Sequence, residues 1–408
     1  MKVLRIALVV PGMPQSSGGP SVAVAALAEH LCDAGHEVSI VTADLVPYGG
    51  PPGPMVEVDK RVRVQLFPVR SRWDRRVYRS VEMRHWLQRA VRTFDVVDIQ
   101  GVWSFIAVDT TRACLHAGIP YVLTPRGQMA RWDWAQNPWQ KRAFFALFLQ
   151  KVWRSAAVIR FLSEGEARQS MVGEGTRGVV IPNPVSLPVE RDARHYTDGF
   201  RGEVRIPSDA PVILFLGRVT AQKGVLELVE AFDQLWRRRR DAVLLLVGPL
   251  DGAYGAAVAA RVNRLSSRAN IHMLGPLYDE RKYGVLATAS LFATLSKNEG
   301  LPIAALEAMA WGLPVVLTDH SNLPEVPEYN AGATVTLSQR GVLTDTLERL
   351  LADPAQLKEM GQNARRLIEE RFTWEKVLPQ LLSVYERVVR GNSAAPPAVL
   401  NEAHEYGA

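Results

Sequence analysis

The chain has 408 residues, of which 47% are hydrophobic, and a formal net charge of +6. This length suffices for two domains, and a mildly basic balance suits anionic partners such as nucleoside diphosphates or lipid head groups. Two cysteines, Cys32 and Cys114, exclude a disulfide framework and fit a reducing cytosol. The N-terminus shows no secretory leader, and no apolar stretch reaches about 18 residues, so we expect a cytoplasmic protein without a membrane span.

Short β-rich segments alternate with helical segments along the chain. In the first half, the strand candidates are residues 3–10, 37–42, 62–67, 96–100, 121–124, 158–162 and 178–181. In the second half, they are residues 212–217, 242–247, 271–274, 291–295, 314–318 and 333–336. Strand and helix in alternation predict parallel sheets with helices on both faces. Because the pattern restarts once, the predicted fold is α/β, with two doubly wound, Rossmann-like domains that face a central cleft.

The polar segment 186–207 separates the two halves of this pattern. We therefore predict an N-terminal domain over residues 1–190 and a C-terminal domain over residues 191–375. A final helix, residues 376–390, is predicted to cross back to the N-terminal domain. Residues 391–408 are rich in Ala, Pro and Asn, and a disordered tail is expected there.

Polar residues directly after a strand are candidates for a ligand site, because open parallel sheets bind ligands at the carboxyl ends of their strands. Gly217 and Arg218 follow the first strand of the second half, and Lys223 and Gly224 precede a predicted helix at 225–239. An Arg and a Lys beside a helix N-terminus form an anion clamp, most simply for a diphosphate. The alternative is ordinary surface charge in a loop.

Two glutamates, Glu299 and Glu307, accompany a strongly apolar predicted helix at residues 302–311. Pro302 is predicted to open this helix and Gly312 to end it. Carboxylates repel phosphate, but they accept hydrogen bonds from sugar and ribose hydroxyls. For Glu299 the alternative is a favourable interaction with the helix dipole, and for Glu307 it is a structural ion pair with a core Arg.

A glycine-rich loop, residues 11–21, follows the first strand and contains Gly18 and Gly19. Two glycines let backbone N–H groups approach a ligand, although a plain flexible turn is the alternative. The loop is not the G-x-G-x-x-G fingerprint, which disfavours an NAD-dependent enzyme. The sequence contains no Asp-x-Asp, and no Cys/His cluster has metal-ligand spacing. We therefore expect no metal and no cofactor, with Arg218 and Lys223 neutralising the diphosphate.

Together these residues resemble the retaining glycosyltransferases of family 4, the glycosyl transferases group 1, which have the GT-B fold. The E-x7-E motif of that family corresponds to Glu299 and Glu307, and its pyrophosphate element corresponds to residues 217–224. Gly18-Gly19 is similar to the N-terminal glycine loop of the family. Residues 181–185, Ile-Pro-Asn-Pro-Val, resemble the segment that closes its first domain. The resemblance extends over nearly all of residues 1–390.

The resemblance implies a nucleoside-diphosphate sugar as donor, most simply a UDP- or GDP-sugar, and transfer with retention at the anomeric carbon. It also implies that Arg218 and Lys223 hold the diphosphate, that Glu299 contacts the donor sugar and that Glu307 contacts the ribose. The loop 275–277 is expected to lie by the base. The remaining donor-binding positions are Gly18, Gly19, Gly217, Gly275, Leu277, Asn298, Gly300, Leu301, Pro302 and Ile303.

One segment departs from the family pattern. Many members carry a His after the strand at 121–124, whereas this chain has Arg126 in a Pro-Arg-Gly run, as in a branch often found in polysaccharide gene clusters. Gln100 likewise stands where members often have His. An Arg cannot serve as a general base, so we expect Arg126 to stabilise the departing phosphate or to orient the acceptor.

Further residues after strands of the first half are expected on the acceptor side of the cleft. They are Gln100, Trp103, Ser163 and Glu164. For the run 163–166, a helix capping box is the alternative.

Two segments, residues 70–79 and 131–148, are both basic and aromatic. Such stretches suit a bilayer interface with anionic lipid. The hypothesis is peripheral contact with the inner face of the cytoplasmic membrane, and a glycan or lipid-linked acceptor of cell-surface polysaccharide synthesis. The alternatives are a core helix at 144–148, and a solvated face or an anionic-acceptor patch at 70–79.

Two other classes of function stay open from the sequence. A sugar-nucleotide epimerase has the same two-domain layout and needs acid/base groups near the donor sugar. A non-enzymatic binding module is the other class. Nucleic acid is not expected as a partner, because the charge is mild and no recognised nucleic-acid motif occurs.

Overall fold

In the computed structural model, the protein consists of two parallel sheets with helices on both faces. The structure describes residues 2–46, 53–172, 178–188, 193–250, 252–337 and 341–391. All the strands predicted for both halves form within these ranges, which confirms the α/β fold. The predicted tail, residues 391–408, lies outside the described residues apart from Gly391.

The first sheet has seven strands. They are β1 (Arg5–Val10), β2 (Glu37–Ala43), β3 (Arg63–Phe67), β4 (Val96–Gln100), β5 (Tyr121–Thr124), β6 (Val158–Phe161) and β7 (Gly178–Val180). Their order across the sheet is β3-β2-β1-β4-β5-β6-β7, and every neighbouring pair is parallel. Because the order reverses between β1 and β4, a crevice for ligands opens at the carboxyl edge there.

The helices of this half alternate with its strands. They are α1 (Gly19–Asp33), α2 (Arg72–Arg76), α3 (Val81–Ala90), α4 (Phe105–Ala117), α5 (Arg131–Ala135), α6 (Pro138–Phe144), α7 (Gln150–Ser155) and α8 (Glu164–Gln169). A π-helical stretch, Phe145–Leu149, joins α6 to α7.

The second sheet repeats the arrangement with six strands. In chain order the elements are α9 (Ala193–Val204), β8 (Val212–Leu216), α10 (Val225–Arg238), β9 (Val243–Val247), α11 (Gly252–Val262), β10 (Ile271–Gly275), α12 (Asp279–Thr288), β11 (Leu291–Ala293), α13 (Ile303–Ala310), β12 (Val315–Thr318), α14 (Glu325–Glu328), β13 (Gly332–Val335), α15 (Val342–Ala352), α16 (Pro354–Arg371) and α17 (Trp374–Val389). The strand order is β10-β9-β8-β11-β12-β13, again all parallel.

The central strands of each sheet are buried on both sides because helices cover both faces there. In β1, Ala7 and Val9 enter one apolar cluster, while Ile6 and Leu8 enter the cluster on the opposite face. This double burial is why the strands read as continuous apolar runs in the sequence rather than as alternating polar and apolar positions.

The polar stretch 186–207, predicted as the break between the halves, is partly helical. It contains α9, which packs against α12 of the second half. Phe200 of α9 is buried, and the Tyr196 ring contacts Tyr283 of α12. Composition misses this helix because its few apolar side chains are spread among polar ones at helical spacing.

The last helix, α17, packs on the first sheet. Leu381 and Tyr385 share the apolar cluster of one face of β1. Trp374 stacks on His30 of α1 with 3.7 Å between ring centroids. The chain therefore passes between the two halves twice.

Candidate functional site

A cleft of about 270 Å³ lies where the carboxyl ends of the two sheets face each other. Its walls come from the loops after β1, β5, β6 and β7 of the first sheet and after β8, β9, β10 and β11 of the second. The topology thus brings together loops that are far apart in the sequence. The predicted site residues that line the cleft are Gly18, Gly19, Arg126, Gly217, Arg218, Lys223, Leu277, Asn298, Glu299, Gly300, Leu301, Ile303 and Glu307.

The other predicted site residues lie beside the cleft and are not part of its lining. They are Gly275, Pro302, Gln100, Trp103, Ser163 and Glu164. Pro302 is the N-cap of α13, so this helix begins at Ile303, one residue later than predicted. Trp103 donates its indole N–H to the Gln128 carbonyl oxygen at 2.7 Å. Glu164 pairs with Arg168 at 3.4 Å.

Ser163 is the N-cap of α8, which is one half of the capping box considered as the alternative for that segment. Its hydroxyl oxygen accepts a hydrogen bond from the Glu166 N–H at 3.0 Å. The same hydroxyl donates to the Gly300 carbonyl oxygen at 2.8 Å. Ser163 therefore supports the loop after β11 from the first half without lining the cleft itself.

Arg218 and Lys223 lie in the loop between β8 and α10 on the second-sheet wall of the cleft. Gly217 and Gly248 pack backbone to backbone beneath them, since a Cβ added to Gly248 would lie 1.8 Å from the Gly217 oxygen. Gly224 has φ +63, and a Cβ there would lie 2.4 Å from a neighbouring carbonyl oxygen. These close approaches bring Lys223 to the N-terminus of α10, which favours an anion, and Arg218 lies in the same loop.

Glu299 is fixed by contacts in the loop after β11. Its carboxylate pairs with Lys223 Nζ and accepts a hydrogen bond from the Ser296 hydroxyl at 2.6 Å. Its carbonyl oxygen accepts from the Asn322 side-chain amide. The Glu299 and Lys223 side chains are 11% and 19% exposed. The two opposite charges offset each other, so Glu299 competes with any phosphate for Lys223.

Glu307 lies on the cleft side of α13 and pairs with Lys282 of α12 at 2.6 Å. Both side chains are 24% exposed. The structural alternative for Glu307 was an ion pair with a core Arg, but the partner is a lysine that itself lines the cleft. The pair is reachable from the cleft, and Lys282 adds a further cation to the wall formed by the second half.

The glycine loop and the loop after β10 border the same cleft. Gly18 has φ +65, and Gly19 begins α1. A Cβ added to Gly19 would lie 3.6 Å from Ile303, so this loop reaches the start of α13 in the second half. After β10, Leu277 and Tyr278 line the cleft.

Arg126 lies in a turn after β5, together with Gly127. Both residues have positive φ, +58 and +78. The Arg126 Nε donates to Gln100 Oε1 at 2.8 Å. Gln100 therefore contacts Arg126 from behind and does not line the cleft itself. The Gly127 carbonyl oxygen accepts from Asn298 Nδ2 at 3.1 Å. The turn that carries Arg126 is therefore bonded directly to the loop after β11.

A buried polar network lies in the first half behind this turn. Asp98 of β4 accepts hydrogen bonds from the Thr124 hydroxyl at 3.1 Å and the Tyr385 hydroxyl at 2.6 Å. Arg160 of β6 donates to the Pro182 carbonyl oxygen at 2.6 Å. Burial raises the pKa of Asp98 and lowers the pKa of Arg160, and the charge of each partner opposes the shift of the other. The network ties α17 to strands β4 and β5 of the first sheet.

Several residues at the cleft are not predicted by the sequence patterns. Tyr278 and Lys282 line it after β10, and Asn183 lines it after β7, within the run that resembles the family segment. The rule that sites follow strands points to these three. Glu166 belongs to the run 163–166 and Asn322 follows β12, but their bonds to Gly127 and Glu299 span 39 and 23 positions, so no local pattern predicts these contacts.

No metal-ion site is found within the described ranges, since no three His, Cys, Asp or Glu side chains there are grouped to hold one. In the same part of the chain, no helix has both the length and the apolarity needed to cross a bilayer. The positive charges that line the cleft come from Arg and Lys side chains.

Comparison with known proteins gives a consistent assignment for both halves. Residues 18–184 match the family described as Glycosyl transferase 4-like domain, and residues 197–367 match the family described as Glycosyl transferases group 1. The chain belongs to the group 1 glycosyltransferases. It is therefore a hexosyl- or related transferase, which decides against the epimerase and the binding module considered from the sequence.

Two relatives and one solved structure show what this glycosyltransferase is similar to. It is 26% identical to the MMP alpha-(1->4)-mannosyltransferase of Mycolicibacterium hassiacum, over 95% of this chain and 98% of the relative. It is 27% identical to the GDP-mannose-dependent monoacylated alpha-(1-6)-phosphatidylinositol monomannoside mannosyltransferase of Corynebacterium glutamicum, over 62% of this chain and 67% of the relative. Anabaena HepE, solved in complex with UDP and glucose, superposes with a TM-score of 0.74 at 15% identity over 94% of this chain and 99% of that one. The glycosyltransferase has the GT-B fold.

Proposed function

We propose that this glycosyltransferase moves a sugar from a nucleoside-diphosphate sugar to a hydroxyl of a glycan or lipid-linked acceptor, with retention and without a metal. The observation that carries the proposal is the pairing of Lys223 with Glu299 and of Lys282 with Glu307 along one wall of the cleft. A nucleotide sugar offers phosphates to lysines and hydroxyls to carboxylates. It can therefore replace each ion pair with two complementary contacts.

On the donor side, Arg218 and Lys223 bind the diphosphate, assisted by the N-terminus of α10. Glu307 accepts from the ribose hydroxyls, and Glu299 accepts from the donor sugar. The base lies beside Leu277 and the neighbouring Tyr278. A relative named for GDP-mannose and a structural neighbour that holds UDP support a guanine or uracil nucleotide.

In a retaining transfer, the acceptor oxygen attacks the anomeric carbon from the face on which the diphosphate leaves. The new carbon–oxygen bond forms as the bond to the phosphate oxygen breaks, and the acceptor proton passes to the leaving phosphate. Arg218, Lys223 and Arg126 stabilise the charge that develops on that phosphate. One such preorganised contact is worth roughly 10²–10³ in rate.

In this proposal, one half of the protein binds the donor and the other half binds the acceptor. Residues 191–375 form the donor-binding domain, which is supported by the placement of both glutamate–lysine pairs after strands of the second sheet. Residues 1–190, completed by residues 376–390, form the acceptor-binding domain. Arg126 and its partner Gln100, which follow strands of the first sheet, support this part.

The acceptor side also carries a candidate membrane surface. Trp73, Trp139 and Leu147 are 66%, 78% and 73% exposed. The segments that contain them meet at Phe105, whose ring packs on α6 and lies 5.7 Å from the Arg79 guanidinium. Exposed apolar side chains beside arginines favour an anionic bilayer surface. We propose a cytoplasmic enzyme that contacts the inner face of the cytoplasmic membrane peripherally.

The stretch 144–148 combines both sequence interpretations. Phe144, Phe145 and Phe148 pack against the core of the first sheet, as the core-helix alternative expects. Leu147 points outward and belongs to the exposed surface. The aromatic residues of this stretch thus support the fold, and the membrane proposal rests on Trp73, Trp139 and Leu147.

The donor proposal is tested with a thermal-shift screen of UDP, GDP, ADP and their sugar derivatives, because ligand binding to the native state raises its stability. Transfer assays with the stabilising donors follow. Arg218→Gln should abolish the shift, whereas Arg264→Gln, a change at an exposed position away from the cleft, should keep it. Equal ligand-induced thermal shifts in both variants would show that Arg218 does not bind the donor. Epimerised sugar without acceptor would contradict transfer as the reaction.

The membrane proposal is tested by flotation with vesicles of anionic or of neutral phospholipid. The wild type should float with anionic vesicles and be released by salt. Trp139→Ala should weaken this binding, whereas Leu66→Ala, at another exposed apolar position of the same half, should not. Absence of salt-sensitive binding to anionic vesicles would overturn the proposal.

A further inference from the structure

We infer that Glu166 is a positioning residue that sets where Arg126 stands relative to the donor loop at Glu299 and Gly300. The inference rests on the proposed function, because it deepens the role given there to Arg126. Glu166 lies in the first turn of α8, is 2% exposed and does not line the cleft.

Both carboxylate oxygens of Glu166 are used by backbone N–H groups. Oε1 accepts from the Gly127 N–H, and Oε2 accepts from the Leu162 N–H at 2.6 Å. Burial raises the pKa of Glu166, whereas these two donors and the charge of Arg126 act against that rise. A carboxylate supplies two acceptors here, and an amide of the same shape supplies one acceptor and one donor.

The turn that Glu166 holds needs such support. Arg126 adopts a left-handed backbone conformation, which is unfavourable for a residue with a Cβ and persists where the surroundings impose it. Gly127 continues the left-handed turn and stands against the second half. A Cβ on Gly127 would lie 2.7 Å from the Gly300 nitrogen. A small displacement of this turn therefore moves Arg126 and the contact with Gly300 together.

The first turn of α8 also holds the other side of this contact. Ser163 donates to the Gly300 carbonyl oxygen, while Glu166 binds Gly127, and Gly127 in turn accepts from Asn298. The start of α8 thus forms hydrogen bonds with both the Arg126 turn and the Glu299 loop, at the point where the two are in contact. Its geometry fixes the spacing between the acceptor-side arginine and the donor-side glutamate.

A double-mutant cycle separates positioning from a purely structural role. The variants are Glu166→Gln, Arg126→Ala and the double variant. Glu375→Gln is the control, because Glu375 stands in the first turn of α17 and is exposed. Glu166→Gln should lower kcat about 10- to 100-fold, as misplacements of about 1 Å do, and leave the KM for the donor nearly unchanged. In the Arg126→Ala background, the same change should lower kcat by less than about 3-fold, because residues that act as a unit are not additive.

Amide hydrogen exchange gives a readout that does not depend on activity. Exchange at the Gly127 amide should accelerate in Glu166→Gln and not in Glu375→Gln, with thermal melting confirming that both variants are folded. If Glu166→Gln does not fold, Glu166→Asp retains the charge and shortens the reach, and should show the same effects. If the wild type transfers no sugar from any donor, the proposed function fails while the exchange measurement still tests Glu166.

Two results would overturn the inference. One is an unchanged Gly127 exchange rate and kcat in a folded Glu166→Gln variant. The other is full multiplication of the Glu166→Gln and Arg126→Ala effects in the double variant, which would mean that Glu166 acts independently of Arg126.

Discussion

Replacing Glu299 by Gln removes one charge from the central ion pair of the cleft and keeps the shape of the side chain. Glu299 neutralises Lys223 and accepts a hydrogen bond from Ser296. Gln still offers an oxygen to the Ser296 hydroxyl but leaves the charge of Lys223 without compensation. We therefore expect Glu299→Gln to bind a nucleoside diphosphate more tightly and to transfer sugar more slowly than the wild type.

The size of both effects follows from the burial of the pair. A hydrogen bond to a charged group contributes about 1.5–3 kcal/mol, and side-chain exposures of 19% and 11% leave the pair only partly screened by solvent. Because the diphosphate no longer has to break this pair, we expect a gain of about 1–2 kcal/mol, or about 5- to 30-fold in Kd. The lost carboxylate contact with the reacting sugar should lower kcat roughly 10²- to 10³-fold.

Titration calorimetry with UDP and with GDP measures the first effect, and initial rates of transfer measure the second. Glu227→Gln is a matched control, because Glu227 pairs with Lys297 at 2.8 Å outside the lining of the cleft. It should change neither quantity. Weaker binding of the nucleoside diphosphate to Glu299→Gln, or transfer at the wild-type rate, would refute the ion-pair exchange.

Three further predictions concern other parts of the molecule. Glu307→Gln should raise the donor KM about 10-fold with little change in kcat, because the ribose does not react; initial-rate kinetics showing mainly a kcat loss would contradict this. Gly300→Ala would place a Cβ 2.9 Å from the backbone of the 126–127 turn, so transfer should fall about 10²-fold, whereas Gly202→Ala has open space and should transfer normally. Burial raises the pKa of Cys114 from 9.0 to about 12. The unfolded thiol therefore ionises first, and stability that is full below pH 9 should fall by about 1.4 kcal/mol per pH unit up to about pH 12. Urea unfolding over this range should show a shallower fall for Cys114→Ala, and parallel curves would contradict the assignment.

The central strands of the fold can be predicted from the sequence because helices bury them on both faces. Runs such as Val243–Val247 are apolar throughout, and the turns between elements carry Gly or polar residues. The helix α9 escapes the same procedure because its sequence is mostly polar. Its place is decided by contacts with α12, which a local pattern does not contain.

The candidate site is predictable to the extent that its residues follow strands. Arg218, Lys223, Glu299 and Glu307 do so or stand in the next helix, and they line one cleft. For Glu307, an ion pair with a core arginine was the structural alternative to a ribose contact, because its helix is predicted to be buried on most sides. The partner, Lys282, comes from the neighbouring helix α12. Such a pairing can be predicted only when the order of the strands in the sheet is known.

Because the chain passes between the two halves twice, the halves cannot be separated by a single cut in the chain. Near the two passages, the Val185 N–H donates to the Phe372 carbonyl oxygen at 2.8 Å, so the connections lie side by side. A fragment that ends before α17 would expose the apolar face of the first sheet that Leu381 and Tyr385 cover. A soluble first half therefore needs α17 supplied as a fused or co-expressed segment, whereas the second half is continuous in the chain.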